Sequence, residues 1–179
     1  MSVTDLSGAA WLQRGETQAI FAALDGHLRR TRAVGGVVRD TVMGHEGRDN
    51  PDIDLATELT PEEVIRRAEA GGIVHYPTGL AHGTVTLRLG QTLAEVTTLR
   101  QDVETDGRHA VVRFGTDWTA DASRRDFTLN ALYCAADGTI YDPLGGLPDA
   151  LAGRVRFIGV PGERIAEDGL RVHRFFRFS

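Results

Sequence analysis

The tightest constraint in this chain is a glycine pair, Gly35-Gly36, placed between a short apolar run ending in Ala33-Val34 and residues 37 to 43. Two residues without a Cβ allow a close approach and a backbone that side chains resist. This stretch is therefore expected to pass from a strand through a tight turn into a brief helix, Val37 to Met43. Free N–H groups at such a helix start suit an anion, and Arg39 lies one turn in. A plain tight turn uses the same glycines. The pattern is neither GxGxxG nor a Walker loop, so dinucleotide-binding and P-loop units have no support.

The rest of the chain alternates strand and helix signals. Residues 8–25 carry apolar side chains at helical spacing, with Gly26 as the expected stop. Thr60-Pro61-Glu62-Glu63 reads as a helix start, with Thr as cap, Pro in the first turn and Glu at the third position. Strands are expected at 73–76, 83–89, 93–99 and 139–141, a mobile loop at 101–117, and a helix from Ser123 through Leu132. A last helix should begin near Gly162 and still be running at Ser179, where Phe175, Phe176 and Phe178 have nothing after them to cover them. The order describes an α+β chain with a small mixed sheet flanked by helices.

Asp52-Ile53-Asp54-Leu55 reads as a strand, so both carboxylates face one side, roughly 7 Å apart at the Cα atoms. That pair can share divalent ions, and magnesium binds well through one or two carboxylates plus phosphates. Two acids on the wet face of an edge strand have the same spacing. Composition excludes several classes. The net charge of −5 argues against a surface coated for nucleic acid, although all twenty basic residues are arginine. From Leu151 to Ser179 the local balance is +3. No apolar run reaches the roughly 20 residues that span a bilayer, and no secretory signal is visible. The single cysteine, Cys134, cannot form an internal disulfide, and a reduced cytoplasmic setting is expected.

Six short motifs follow in order: Gly35-Gly36 with Val38-Arg39-Asp40; Asp52-Ile53-Asp54-Leu55-Ala56-Thr57; Glu95-Val96-Thr97-Thr98; Arg124-Arg125-Asp126-Phe127-Thr128 with Asn130-Ala131; Asp142-Pro143 with Gly145-Gly146; and Glu167-Asp168 with Arg171. Together, from about Val34 to Ser179, they resemble the head of class II tRNA CCA-adding enzymes and their poly(A) polymerase relatives. The resemblance implies a polymerase-β-like nucleotidyltransferase head. It implies magnesium, CTP and ATP as substrates, the tRNA 3′ end as acceptor, and pyrophosphate as product. Asp52 and Asp54 would be the metal ligands, with Glu95 as third carboxylate on a strand face shared with Leu93, Thr97 and Leu99. Gly35, Gly36 and Arg39 would meet the triphosphate. Arg125 and Asp126, expected to open a helix, would lie near phosphates and ribose, a carboxylate there selecting the 2′-OH. Asp126 could equally stabilise its helix start. Asn130 is expected to be structural, and Asp142 with Gly145-Gly146 a turn.

Asp168, Arg171, Arg174 and Arg177 fall three apart on the expected last helix. A carboxylate accepts and a guanidinium donates. Cytosine and adenine each present an amine beside a ring acceptor; guanine and uracil present the reverse. One Asp168–Arg171 pair could therefore accept both correct bases, a task the resemblance assigns to these positions. A surface ion pair is the alternative. Residues 1–30 are expected to form an N-terminal helix, 31–158 the head and 159–179 the first helix of a neck. The link over 41–51 is longer than the family's usual spacing. Asp106-Gly107-Arg108-His109 is expected to govern switching from C to A.

Overall fold

The computed structural model describes residues 5–45, 50–105 and 109–178. A seven-stranded sheet runs in the order β3-β4-β5-β2-β1-β8-β9. Its strands are β1 Thr31–Val34, β2 Ile53–Thr57, β3 Val74–Gly79, β4 Thr84–Leu89, β5 Thr92–Thr98, β8 Tyr133–Cys134 and β9 Ile140–Tyr141. The β2–β5 pair is parallel and its neighbours are antiparallel, which makes the sheet mixed. The expected strands at 73–76, 83–89, 93–99 and 139–141 are all present within a few residues.

Helices α1 (Ala10–Gln13) and α2 (Gly15–Ala23) replace the single helix expected over 8–25; the break is Arg14, whose ψ of 134° is extended. Leu12, Ile20, Phe21 and Leu24 pack with Ile53, Leu55, Leu87 and Val96 in the main core, so these helices cover one face of the sheet. Helix α4 (Pro61–Ala70) starts as expected, with Thr60 Oγ1 accepting from the Glu63 amide at 3.3 Å.

Three stretches depart from expectation. The polar segment at 101–117 is a two-stranded hairpin, β6 (Arg100–Thr105) and β7 (His109–Phe114), pairing from Arg100–Phe114 to Thr105–His109. Asp106-Gly107-Arg108 lie outside the described residues. The helix expected from Ser123 is instead α5, Trp118–Ser123, which Asp117 caps through the Ala120 amide at 3.0 Å. Arg124-Arg125-Asp126 therefore follow a helix rather than open one, and only a 3-10 turn, Thr128–Asn130, comes after. Phe127 is fully buried and pairs with Phe157 in an isolated bridge, which keeps this stretch extended. The last helix is two, α7 (Pro161–Glu167) and α8 (Leu170–Phe178), parted at Asp168, whose φ and ψ are −149° and 105°. Asp and Gly169 both favour such a break, because Asp bonds the backbone of a new helix start and Gly lacks helical preference.

The terminal aromatics are also partly covered. Phe175 stacks on Phe157 at 5.5 Å between centroids, and Phe178 meets Phe127 edge-on at 6.0 Å, while Phe176 stays exposed. Helix α6 (Leu147–Ala152) follows the Asp142 turn, where the carboxylate accepts from the Gly146 and Leu147 amides at 2.7 and 2.8 Å.

Candidate functional site

The location of the site follows from how strand β2 is covered. Ile53 and Leu55 point into the main core. On the opposite face Ala56 lies under Trp118, Ala122 and Tyr133. Asp54 occupies that same face but is exposed, because the next strand, β1, ends there in Gly35 and Gly36. Helix α3 (Gly36–Val42) then leads away. Gly35 has φ 76° and ψ −134°, a conformation essentially reserved for glycine. A Cβ on it would lie 4.0 Å from Asp54 Oδ2, so the bare backbone leaves the carboxylate open.

Asp52 precedes the strand, and Asp54 pairs in register with Glu95 of β5. Burial pushes the Asp54 carboxyl above its usual range, and the charges of Glu95 and then Asp52 add to this, with Arg125 opposing. Its surface is open, yet the cleft walls crowd it. A divalent cation relieves such a like-charge load, and all-oxygen donors suit magnesium. Among the described residues no three acidic, histidine or cysteine side chains close around one point. The donor set thus fits a cation held by one or two carboxylates and completed by substrate phosphates.

Arg39 is fixed rather than free. It donates from Nε to Asp40 at 2.8 Å and from Nη1 to Asn130 Oδ1 at 2.8 Å, and its guanidinium lies 4.5 Å over the Phe178 ring. Asn130 Nδ2 donates to Asp126 Oδ1 at 3.2 Å, and the Phe127 amide donates to the same oxygen at 2.8 Å. The other oxygen, Asp126 Oδ2, is 2.7 Å from Arg174 Nε, but this is an ion contact without aligned hydrogen-bond geometry. This buried carboxylate oxygen is thus ion-paired with Arg174 without an aligned hydrogen bond.

Behind these lies Asp121, 1% exposed. It takes Arg124 at 3.1 Å, Arg125 at 3.2 Å and the Tyr133 hydroxyl at 2.7 Å. Burial works to raise its carboxyl, but the two arginines and the hydroxyl outweigh this and hold it below the usual range. In the last segment, Asp168 Oδ1 accepts from the Leu170 amide at 3.0 Å and Arg171 Nη1 donates to the Arg164 carbonyl at 2.7 Å. The expected row on one helix is therefore a cap residue followed by three helical arginines.

One cavity of about 580 Å³ brings together Gly35, Gly36, Arg39, Asp54, Arg125, Asp126, Asp168, Arg171, Arg174 and Arg177. Asp52 lies in an adjoining cavity of about 450 Å³ that shares Gly36 and Asp54. Glu95 is beside Asp54 but lines neither. Arg100, Arg124, Asn130 and Phe178 also line the large cavity and were not among the expected contacts. For Arg124 the signal was its place beside Arg125; for Arg100 and Phe178 only the fold reveals it.

The mixed sheet with paired carboxylates beside a glycine turn defines a polymerase-β-like head. Residues 31–156 match the family described as the poly A polymerase head domain, and the chain belongs to that family. It is 47% identical over 148 residues to "CCA tRNA nucleotidyltransferase 1, mitochondrial" of Danio rerio, covering 82% of this chain and 34% of that protein. The chain therefore spans about a third of that relative's length. The Bacillus stearothermophilus CCA-adding enzyme in complex with CTP is similar with a TM-score of 0.74 and 32% identity, over 93% of this chain and 39% of that one. A tRNA nucleotidyltransferase complexed with a primer tRNA and an incoming ATP analog is similar with a TM-score of 0.67 and 29% identity, over 86% of this chain and 43% of that one.

Proposed function

We propose that this chain is the head of an enzyme that adds CMP and AMP, without a template, from CTP and ATP to the 3′ end of tRNA. The observation that carries this reading is the shared cavity, in which Asp54 meets the glycine pair, Asp126 and the Asp168–Arg177 segment. The similar proteins named for CCA addition, and those holding CTP or primer tRNA, support it.

In this reading the RNA 3′-hydroxyl attacks the α-phosphorus, the bond to the β-phosphate breaks, and pyrophosphate leaves. Gly35 and Gly36 admit the triphosphate, and Arg39 faces it. Arg125 adds positive charge beside Asp54. Asp126 Oδ2, ion-paired with Arg174 but lacking an aligned hydrogen bond, accepts the ribose 2′-OH. Asp168 and Arg171 read the amine and ring acceptor of cytosine or adenine, with Arg174 and Arg177 alongside. Asp52 and Asp54 would hold magnesium, which supplies activation of the hydroxyl and charge neutralisation of the leaving group; Glu95 is the third carboxylate. We take residues 31–158 as the head, 1–30 as an N-terminal helical segment and 159–179 as the start of a neck. Among the described residues no helix is long and apolar enough to cross a membrane. The cytoplasm is the proposed compartment, where buried Cys134 stays reduced.

A second reading, addition of AMP alone, is favoured by the family's poly A polymerase description. The protein incubated with tRNA lacking its 3′ end and labelled CTP or ATP separates the two. CCA addition requires incorporation of both; Asp52→Ala and Asp54→Ala should each abolish it. Near-normal incorporation by either variant sinks the assignment.

A further inference from the structure

Adjoining the nucleotide cavity, and sharing Asp54, Arg100, Arg124 and Arg125 with it, is a smaller pocket of about 170 Å³. Its polar walls are His82, Thr84, Thr97, Arg100, Arg124 and Arg125. Neither Gly35 nor Gly36 lines it. Thr97 lies two residues beyond Glu95 on the same face of β5, and Thr84 stands opposite it on β4, their hydroxyls 3.0 Å apart. The pocket therefore extends along the sheet from Asp54 towards β4, with Val34 of β1 also in its wall.

Three guanidinium groups converge here. Asp121 neutralises one charge and, of the three arginines, pairs with Arg124 and Arg125. Arg100 makes a long hydrogen bond of 3.4 Å from Nη1 to the His82 carbonyl. The Nε atoms of Arg100 and Arg125 are buried and have no partner. Burial lowers the Arg124 pKa, the Asp121 charge opposes this, and the charges of Arg125 and Arg100 lower it further. Buried donors without acceptors, with three guanidinium groups set against the carboxylates of Asp121 and Asp54, suit an oxyanion.

Which oxyanion follows from the reaction. In-line displacement puts the attacking and leaving oxygens on opposite sides of the phosphorus. The leaving pyrophosphate belongs with the glycine turn and Arg39, so the hydroxyl must reach Asp54 from elsewhere, and its RNA strand brings phosphodiesters with it. We propose that this pocket holds a backbone phosphate of the acceptor RNA, gripped by Arg100 together with Arg124 and Arg125. This rests on the RNA-extending function above.

The test is equilibrium binding of a fluorescein-labelled single-stranded RNA ending in CC, and separately of ATP, to the full chain and to Arg100→Gln. The expected result is RNA affinity down about tenfold, with a clearly smaller loss for ATP, whose cavity Arg100 also lines. The log–log salt slope for RNA should become shallower by about 0.7, the mark of one lost phosphate contact. Thr97→Val, which keeps the side-chain shape, should weaken RNA in the same direction by about two- to threefold, and it serves if Arg100→Gln folds poorly. Unchanged RNA affinity in the variants overturns the proposal. So does an equal loss for ATP, which would give the pocket to the nucleotide. Wild-type protein that binds ATP but no RNA overturns the proposal alone; protein that binds neither overturns the function with it.

Discussion

Arg39 and Asn130 are joined across the floor of the cavity by a hydrogen bond of 2.8 Å from guanidinium to side-chain carbonyl. Because Asn130 also donates to Asp126, one buried amide sets the distance between a cationic and an anionic contact. Removing it should loosen both. Asn130→Ala is expected to cost about 1–3 kcal/mol of stability and to weaken CTP and ATP alike by about tenfold, read by urea denaturation and calorimetry. Asn130→Asp should be worse than Ala, since it places a second carboxylate against Asp126.

Asp54 illustrates a conflict between folding and chemistry. Burial and then the charges of Glu95 and Asp52 disfavour its ionised form. A neutral isostere relieves that load. Asp54→Asn should therefore raise the thermal midpoint in metal-free buffer while lowering nucleotide incorporation more than about a hundredfold. Both are measured on one preparation. A variant that loses stability as well as activity would mean that Asp54 is held by contacts rather than strained by charge.

Much of this arrangement was legible in the sequence where the signal was local or periodic. Alternation put Glu95 on a strand face that pairs with Asp54, while Asp52 falls just before the strand, and Thr60-Pro61 marked the start of α4. The failures share a cause, which is that the deciding partner is distant in the chain. Nothing near Asp121 says that Tyr133 will close on it, so a helix is expected from Ser123 through Leu132, whereas α5 in fact ends at Ser123. The β6–β7 hairpin pairs only with itself and is expected as a loop, although Asp106-Gly107 is a turn dipeptide in sequence. The Asp168-Gly169 break was written in those residues but outweighed by the three-residue spacing of the arginines.

Gly35 is a position in the site whose backbone conformation a side chain resists. An added Cβ meets nothing closer than 4.0 Å, so the penalty is conformational rather than steric. With φ at 76° and ψ at −134°, Gly35→Ala should cost about 1–3 kcal/mol. The same change should shift the Gly36 backbone and lower nucleotide affinity. Gly44→Ala, also at positive φ but with open space around it and outside the large cavity, is the control: some loss of stability, none of affinity.

Asp121 predicts a dependence on acid. Its folded pKa is depressed, because the arginines and Tyr133 outweigh its burial. The stabilisation is therefore present above the unfolded value, near 4, and is lost as pH falls through the lower folded value. At neutral pH Asp121→Asn should be less stable than wild type by about 3 kcal/mol, the cost of stripping a buried pair of one partner. That gap should narrow steadily below about pH 4, as urea midpoints against pH will report. A gap independent of pH would mean that shape rather than charge matters at this position.

Asp168 allows a test of base choice that spares the fold. Its Oδ1 accepts from the Leu170 amide, and asparagine caps a helix start as well as aspartate does. With that oxygen occupied, Asp168→Asn turns the second group from an acceptor into an amide donor. A donor repels the amines of cytosine and adenine and suits the carbonyls of uracil and guanine. Single-turnover assays with each nucleotide should show CMP and AMP addition falling while UMP or GMP addition rises, with the thermal midpoint unchanged. Equal loss on every nucleotide would make Asp168 a capping residue without a part in reading the base.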